Sequence, residues 1–313
     1  MRFIVVKDLS PEAARARTVR AVADVLKKVG KTEILSFDAS LIKRLTKDDV
    51  IFNLAIGKRH DFLQGTISAI MEGLGNEFVG SPAYTHYVCL DKFTTKSLLN
   101  SYGIPTPAGT LFDGSYFVGD IPAPPLIVKP VAEGSGIGVE SDSLCDSIEM
   151  AKKVAKKKFE EFKEPIIIEK YLDGAELTVG VIGFGSELKV LPSLEIDFSN
   201  LPKGVERFYS KRVKEEYASQ TIYRCPALLS EKVQREVLDI AKKTFEVTKA
   251  RDYLRIDMRL DKDQPYVIEV NSMPGLDPQN SDIPKMIKAM SKDYEWLIKY
   301  VIKRAIQSLE VQE

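Results

Sequence analysis

The sequence predicts an α/β fold that begins with a small open parallel sheet. Short apolar segments alternate with helical segments in the first part of the chain, and this β-α-β order is typical of parallel sheets. The composition is that of a soluble globular protein, because the 313 residues are 44% hydrophobic and 29% charged. This length predicts two domains, or three small ones.

Each element of the N-terminal sheet follows from a local pattern. The apolar run 2–6 predicts a buried strand, and residues 11–29 carry apolar side chains at the spacing of one helical face. Ser10 is the expected N-cap of that helix, with Pro11 at its first position and Gly30 as its stop. Further predictions are strands at 33–36 and 50–55 and a helix at 62–74.

The second part of the chain mixes strands and helices. A helix from 91 to 102 ends at Gly103, and the glycine- and proline-rich stretch 112–125 predicts a domain boundary. Beyond it, strands are predicted at 126–129, 166–170 and 177–182, and helices at 146–162, 231–247 and 285–309. The lysine run between 152 and 158 has two interpretations, a solvated helix face or a binding patch, and its helical setting favours the first.

Charge and hydropathy disfavour two kinds of partner. The 45 Lys+Arg residues balance the 45 Asp+Glu residues, so a general nucleic-acid scaffold is not expected, although a basic groove stays open. The apolar runs are far shorter than the roughly 18 residues of a membrane span. The first strand also lacks the features of a signal peptide, and we therefore expect a cytoplasmic protein without a membrane partner.

Cysteine and histidine usage narrows the chemistry. Cys89, Cys145 and Cys225 are scattered, which favours buried thiols over a disulfide framework or a zinc site. With only two histidines in the sequence, a His-rich metal site or a Ser-His-Asp triad is not expected. Chemistry should therefore depend on carboxylates, lysines and arginines.

The strongest chemical signal is a hairpin at residues 254–271. Strand alternation places Arg255, Asp257 and Arg259 on one face of the first strand, and on the second strand it separates Glu269 and Asn271 from Ile268 and Val270. If the polar faces match, Asp257, Glu269 and Asn271 converge as hard oxygen ligands suited to Mg²⁺. The alternative is a hairpin with one solvated face. The Pro-Gly turn that follows favours the site, because its backbone amides can meet an anion.

Two further segments are weaker signals. A strand ends at Lys129 and is followed by a glycine-rich loop at 133–138, where backbone N–H groups can approach phosphate oxygens. The spacing fits neither a dinucleotide fingerprint nor a P-loop, and an ordinary turn is the alternative. The strand 166–170 runs into an acidic turn, where a backbone edge can read an adenine and Glu176 can reach ribose hydroxyls.

Together, and in this order, these segments resemble the ATP-grasp enzymes, and most closely the D-alanine–D-alanine ligase family. The resemblance spans about three-fifths of the chain, from residue 91 to 284. It rests, in chain order, on Asp91-Lys92, Gly103-Ile-Pro-Thr-Pro107, Lys129-Pro130, Glu133-Gly-Ser135, Glu169-Lys-Tyr-Leu172, Gly174-x-Glu176, Cys225-Pro-Ala227, Arg255-Ile-Asp257, Glu269-x-Asn271 and Pro274-Gly275.

The resemblance implies an ATP-grasp fold in three parts. These are an N-terminal open parallel α/β domain at 1–90, a central α+β part with the glycine-rich loop at 91–180, and a C-terminal part with the magnesium site at 181–313. It also implies a reaction in which ATP phosphorylates the carboxylate of a first amino acid. The amine of a second then attacks the acylphosphate, which gives a peptide bond, ADP and phosphate. Phosphoryl transfer of this kind depends on positioning and charge stabilisation.

Carried over to this sequence, the resemblance implies ATP and Mg²⁺ as cofactors. The implied cofactor-binding residues are Lys92 and Lys129 at the phosphates, Glu133, Gly134, Ser135 and Gly136 in the loop, and Glu169, Lys170, Leu172 and Glu176 around the adenosine. The implied metal ligands are Asp257, Glu269 and Asn271. Arg255 and the backbone at Gly275 would stabilise the phosphoryl group and then an oxyanion. Lys211 would lie on a mobile loop that covers the substrates.

The amino-acid end of the site departs from the family pattern. Where the family has Gly-Gly-x-Ser-x-Glu after the first strand, this sequence keeps Ser10 and Glu12 but neither glycine. Glu12 is the candidate anchor for the first ammonium group. Ser135 would bridge Glu12 to the loop in a catalytic network whose usual tyrosine has Arg212 as its nearest counterpart. Ser281 aligns with the serine that binds the second substrate only if one residue is inserted.

Three functional hypotheses follow. The first is a ligase of two amino acids, most simply two D-alanines, and the second keeps the chemistry with other amino-acid, hydroxy-acid or amine partners. The third is a catalytically inactive nucleotide-binding regulator, against which the retained metal ligands argue. His60 is either substrate-proximal or an ordinary surface histidine, and Asp61 and Gln64 are either site residues or helix caps. A homodimer through the N-terminal domain is implied by the resemblance.

Overall fold

The computed structural model describes residues 1–57, 62–134 and 136–310, apart from the side chains at 211 and 215, and these residues form three sheets. The first sheet is parallel, and the other two are antiparallel. The predicted combination of an α/β part and an α+β part is therefore confirmed.

The first sheet is the open parallel unit that the sequence predicted. Its elements are β1 (Arg2–Lys7), α1 (Ala13–Leu26), β2 (Lys31–Ser36), α2 (Leu41–Arg44), β3 (Asp49–Asn53), α3 (Leu63–Leu74) and β4 (Glu77–Val79). The strands lie in the order β2-β1-β3-β4. Side chains of β1 alternate between two cores, with Phe3 and Val5 on one side and Ile4 and Val6 on the other.

The start of α1 differs from the prediction. The helix begins at Ala13 rather than at Pro11, and Ser10 does not cap it. The carboxylate of Asp8 accepts a hydrogen bond of 2.9 Å from the backbone N–H of Gly57, which follows β3. This bond ties the segment after β1 to the neighbouring strand, so the helix begins only beyond that segment.

The second sheet is antiparallel and lies against one helix. Two helices, α4 (Ala83–Leu90) and α5 (Lys92–Ser101), lead to it, and its elements are β5 (Gly109–Phe112), β6 (Phe117–Val118), β7 (Leu126–Pro130), β8 (Leu144–Cys145), α6 (Ile148–Phe162) and β9 (Ile166–Lys170). The strand order is β6-β5-β9-β7-β8. The domain boundary predicted at 112–125 is wrong, because β5 pairs with both β6 and β9 and this stretch therefore belongs to one sheet.

The third sheet carries the predicted hairpin. Its strands are β10 (Glu176–Gly183), β11 (Lys189–Val190), β12 (Leu194–Asp197), β13 (Ile222–Arg224), β14 (Asp252–Asp261) and β15 (Gln264–Asn271). They lie in the order β13-β12-β10-β14-β15, with β11 beside β10. Two helices, α7 (Lys211–Glu216) and α8 (Glu231–Val247), are inserted between them in sequence, and α8 packs its apolar side on β10, β14 and β15.

The C-terminal segment forms three helices instead of the single one predicted at 285–309. They are α9 (Asp282–Ala289), α10 (Tyr294–Val301) and α11 (Lys303–Glu310). Ser291 has a φ of 57°, a left-handed conformation that ends a helix. Asp293 then starts α10 by accepting a hydrogen bond of 2.7 Å from the backbone N–H of Trp296.

One apolar core joins the two ends of the chain. Phe52 of β3 and Val22 of α1 belong to the same buried cluster as Tyr253 of β14 and Leu297 of α10. The division at 1–90, 91–180 and 181–313 stays a prediction, although β10 runs across its second boundary. Within the described ranges, no helix has both the length and the apolar character that crossing a membrane requires.

Candidate active site

The β14–β15 hairpin brings together the three predicted metal ligands. In its register Arg255 lies opposite Asn271, and Asp257 lies opposite Glu269. The Nδ2 of Asn271 donates a hydrogen bond of 2.9 Å to Oδ2 of Asp257. The predicted convergence of these side chains is therefore confirmed, whereas their role as metal ligands stays a prediction.

A bulge in β15 corrects one part of the alternation pattern. The pairing shifts after Asp257, so that Met258 lies opposite Val267 and Ile268 has no partner in the ladder. Val267 therefore joins Val270 in the core, in place of the predicted Ile268. Because of the extra residue, Ile268, Glu269 stays opposite Asp257 while Val267 and Val270 both face the core.

Arg255 is oriented by the acidic groups beside it. Its Nε and Nη2 donate to the two carboxylate oxygens of Asp257, each at 2.8 Å, and Thr178 Oγ1 donates to the same carboxylate at 2.6 Å. Burial would lower the pKa of Arg255, but the carboxylates of Asp257, Asp282 and Glu269 together outweigh burial and raise it. The guanidinium is therefore a permanent, rigidly held cation within the hairpin.

Glu269 is ionised because lysines surround it. Lys92 Nζ lies 3.1 Å from its Oε1. Burial would raise the pKa of Glu269, but Lys92, Lys129 and Lys214 outweigh burial and lower it to about 2. At neutral pH the carboxylate is thus available to a cation.

The donor set of the hairpin fits Mg²⁺. Two carboxylates and an amide oxygen are hard ligands, and Mg²⁺ commonly takes few protein ligands while substrate phosphates and waters complete its shell. No group of three or more His, Cys, Asp or Glu side chains in the described part of the chain is arranged to hold a metal ion. A site that uses Asp257, Glu269 and Asn271 would therefore depend on the amide and on non-protein oxygens.

A second buried charge cluster lies on the central sheet. Glu169 is 1% exposed and lies between Lys129, at 2.7 Å, and Lys96, with which it forms a close ion pair. Burial lowers the pKa of Lys96 to about 7, against the influence of Glu169. Lys96 was not among the residues predicted from the sequence, although its position one helical turn after Lys92 on α5 was a usable signal.

The glycine-rich loop follows β7 and is built from successive turns. The N–H of Ile137 donates to the carbonyl of Gly134, and the N–H of Val139 donates to the carbonyl of Gly136, both at 3.1 Å. Gly138 has a φ of 70°, and a Cβ there would lie 2.5 Å from Pro130, so this position requires glycine. Lys92 Nζ donates to the carbonyl of Glu133, and Ser135 lies outside the described residues.

The residues predicted around the adenosine occupy different surroundings. Lys170 Nζ donates to the carbonyl of Pro124 at 2.7 Å, and Leu172 is buried. Glu176 is also buried, and its Oε2 lies 4.0 Å from Nε of Arg259. Burial raises the pKa of Glu176, with Arg259 opposing it. Lys170 ends β9, Glu176 begins β10, and Leu172 lies in the connection between them. Their contact with a nucleotide stays a prediction.

Among the described side chains of α7, Lys214 contributes a positive charge to the site. Its ammonium lies 4.3 Å from the ring centre of Tyr209, and its charge interacts with Glu269, Asp257 and Glu176. Burial, together with Arg255, lowers its pKa. Lys211 was predicted for this role from the segment 209–212, and because its side chain lies outside the described residues, its role stays a prediction.

The turn after the hairpin brings Gly275 and Ser281 together. A Cβ at Gly275 would lie 2.6 Å from Oγ of Ser281, so a larger residue there would displace this hydroxyl. The N–H of Asp277 donates to the same Oγ at 2.9 Å. The serine that aligned only with an insertion is therefore next to the Pro-Gly turn.

Comparisons with known proteins give this site a family. A family model described as the D-ala D-ala ligase C-terminus matches residues 122–303. A D-alanine–D-alanine ligase of Cupriavidus necator is 31% identical over 256 residues, which cover 80% of this chain and 74% of that protein. The ligase of Pseudothermotoga lettingae is 30% identical, and the match covers 91% of this chain and 92% of that protein.

The chain belongs to the D-alanine–D-alanine ligase family. Its fold agrees with this assignment. The crystal structure of a D-alanine–D-alanine ligase from Bacillus anthracis, complexed with ATP, has a TM-score of 0.80 to this chain, with 23% identity and complete coverage of both chains. The N-terminal parallel sheet and the two antiparallel sheets are thus the ATP-grasp fold that the sequence predicted.

In this member of the ligase family, the residues predicted at the amino-acid end of the site lie on separate elements. Glu12 is exposed at the N-cap position of α1. Arg212 is exposed, and its ion pair, at 3.2 Å, is with Glu206. Among the described residues, no ion pair joins Arg212 to Glu12. Gln64 does not cap α3, which begins after Phe62 without a side-chain cap. The predictions for 60 and 61 fall outside the described residues.

Proposed function

We propose that this chain is an ATP-dependent carboxylate–amine ligase that joins two amino acids. The first carboxylate is phosphorylated by ATP, and the amine of the second substrate attacks the acylphosphate to give a peptide bond, ADP and phosphate. The observation that carries this proposal is the convergence of Asp257, Glu269 and Asn271 with the cations Lys92 and Arg255.

The cations of the site would balance the phosphate charge. Lys92 and Lys129 approach Glu269 and Glu169 from two different elements, so both ammonium groups stay fixed before a nucleotide binds. Bound at Asp257, Glu269 and Asn271, Mg²⁺ would neutralise the charge that develops on the transferring phosphoryl group. Lys214 supplies a further ammonium, from the segment predicted to cover the substrates.

The acyl-transfer half of the reaction needs donors that stabilise an oxyanion. Arg255 is a fixed cation, and the backbone at Gly275 can be approached closely because no side chain projects from it. Preorganised donors of this kind commonly lower the barrier by about 3 kcal/mol each. Ser281 lies beside Gly275 and would hold the carboxylate of the second amino acid, while Glu12 would hold the ammonium group of the first.

Two candidates remain for the substrates. The names of the relatives supply D-alanine for both positions. The segment around Glu12 favours other substrates. It lacks the two glycines of the family pattern, and it places the charged side chains of Asp8 and Arg15 near Glu12. The chemistry of ligation is the same for both candidates. A homodimer stays a prediction.

The decisive assay is phosphate release from ATP and Mg²⁺ across a panel of D- and L-amino acids, offered singly and in pairs. Release that requires a pair of amino acids, with a dipeptide as the product, supports the ligase. Phosphate release only when D-alanine supplies both substrates selects the first candidate. Release with another pair selects the second. If ATP binds but no pair releases phosphate, the chain is instead a nucleotide-binding regulator.

A further inference from the structure

Arg15 is half-buried near the carboxyl ends of the strands of the first sheet. β1 has β2 on one side and β3 on the other, so the strand order reverses between the carboxyl ends of β1 and β3. Open α/β sheets bind their ligands at such switch points. Arg15 lies there, since its Nη1 donates to the carbonyl of Leu54 directly after β3.

The guanidinium of Arg15 has spare hydrogen-bonding capacity. Its bond to Leu54 is long, at 3.4 Å, and is its one hydrogen bond to the described part of the chain. A guanidinium carries five N–H donors. Burial lowers the pKa of Arg15. The nearby carboxylates of Asp8 and Glu12 act to raise this pKa but do not outweigh burial. Asp8 is meanwhile engaged by the N–H of Gly57, at 2.9 Å. An anion seated against Arg15 would offset its loss of hydration.

Helix α1 places Arg15 at the amino-acid end of the site. Glu12 and Arg15 are three residues apart and so lie on the same face of this helix, yet no ion pair within 4.0 Å links them among the described residues. On the same helix, Arg17 pairs with Asp277 through two nitrogens, at 3.0 and 2.9 Å. This pair holds α1 against the segment that follows Gly275.

We propose that Arg15 determines specificity, and that the first substrate is an amino acid with a carboxylate in its side chain. This inference rests on the proposed ligase function and selects its second candidate. The ammonium group would bind Glu12, the reacting carboxylate would face Arg255 and Gly275, and the side-chain carboxylate would accept two hydrogen bonds from Arg15. A methyl side chain would leave those donors unpaired in a closed site, which is a strong basis for rejection.

The test compares acidic amino acids with their amides, which have the same shape. Phosphate release is measured with aspartate, glutamate, asparagine, glutamine and alanine in both stereochemical forms, and tandem mass spectrometry of the product identifies which residue supplied the carboxylate. We expect an acidic amino acid in the first position. Its KM should be on the order of 10- to 100-fold below that of its amide, as a charge-assisted bond predicts.

Variants connect this preference to Arg15. Arg15→Leu should remove most of the difference between acid and amide while leaving the KM for ATP unchanged, and Arg15→Lys should keep part of it. Arg20→Leu is the control, because Arg20 is an exposed arginine on the same helix. If Arg15→Leu does not fold, Arg15→Lys supplies the comparison, and an undiminished preference in that variant would refute the role of Arg15.

The outcomes separate this inference from the proposed function. Equal KM values for acids and amides in the wild-type chain, or an undiminished preference in Arg15→Leu, would refute the role of Arg15 and leave the ligase intact. Absence of phosphate release with every pair would refute both.

Discussion

At the scale of single residues, Asp257 is the centre of the site. Arg255, Thr178 and Asn271 all donate to its carboxylate. Such a carboxylate is positioned before any ligand binds, because its partners leave it one orientation. Electrostatic preorganisation of this kind is usually the largest contribution to catalysis.

Removing the charge of either hairpin carboxylate should stop the reaction without unfolding the chain. Asp257→Asn or Glu269→Gln should lower turnover at least about 100-fold, because the site then loses an anionic oxygen ligand and keeps its cations unbalanced. Phosphate release and a thermal melt measure the two effects. The control is Asp261→Asn, an exposed aspartate at the end of the same strand. Near-normal turnover in both site variants would contradict the predicted metal role.

A second residue-scale prediction concerns the two lysines of α7. Lys214→Met should raise the KM for ATP or lower turnover on the order of 100-fold, because its buried ammonium faces Glu269, Asp257 and Glu176. Lys211→Met should have a smaller effect. Lys203→Met, at an exposed position before the helix, serves as the control. A larger loss of turnover in Lys211→Met than in Lys214→Met would assign the substrate-covering role to Lys211, as predicted from the sequence.

At the scale of elements, the stability of the short helix α10 depends on the residue that caps its first turn. The eight-residue α10 buries Leu297, Ile298 and Val301 in the large core, but a helix of this length is not stable by itself. Its first turn is held by Asp293, whose carboxylate accepts the N–H of Trp296 at 2.7 Å.

Loss of this cap should therefore reduce the stability of the whole molecule. We expect Asp293→Ala to lower the free energy of unfolding by ~1 kcal/mol, as measured by denaturant titration. Asp239→Ala is the matched control, because Asp239 is exposed within α8 and caps no helix. An equal loss in the two variants would show that the cap contributes nothing specific.

At the scale of the whole molecule, one arginine joins segments far apart in sequence. Arg304 of α11 donates to Asp252 at the start of β14, at 2.8 Å, and to Glu77 at the start of β4, at 3.0 Å. The side chain of Asp252 is fully buried. The joint thus links the parallel sheet to the sheet that carries the hairpin.

Breaking this joint should cost more than breaking an exposed ion pair. Arg304→Met should lower the free energy of unfolding by about 3 kcal/mol, because it leaves the buried carboxylate of Asp252 without its closest cation. Adding Asp252→Asn should recover part of the loss, since the remaining group is then neutral. Denaturant titrations of both variants give the comparison. If the double variant is no more stable than Arg304→Met, the unpaired charge is not the cause.

Short-range patterns were sufficient to predict the parallel sheet, the helix at 91–102 and the meeting of Asp257, Glu269 and Asn271. Periodicity and strand pairing act over a few residues or across one tight turn, so these features are written locally. The break of the C-terminal segment into three helices is less visible in the sequence, because no glycine or proline marks the end of α9, where Ser291 takes the left-handed conformation.

The remaining parts of the site were decided by the tertiary structure. Lys96 meets Glu169 across 73 residues, and Arg17 meets Asp277 across 260. The direction of Lys214 and the surroundings of Arg15 likewise depend on elements that are distant in the chain. Contacts of this kind depend on how sheets and helices pack as units, and no spacing within a single segment encodes that packing.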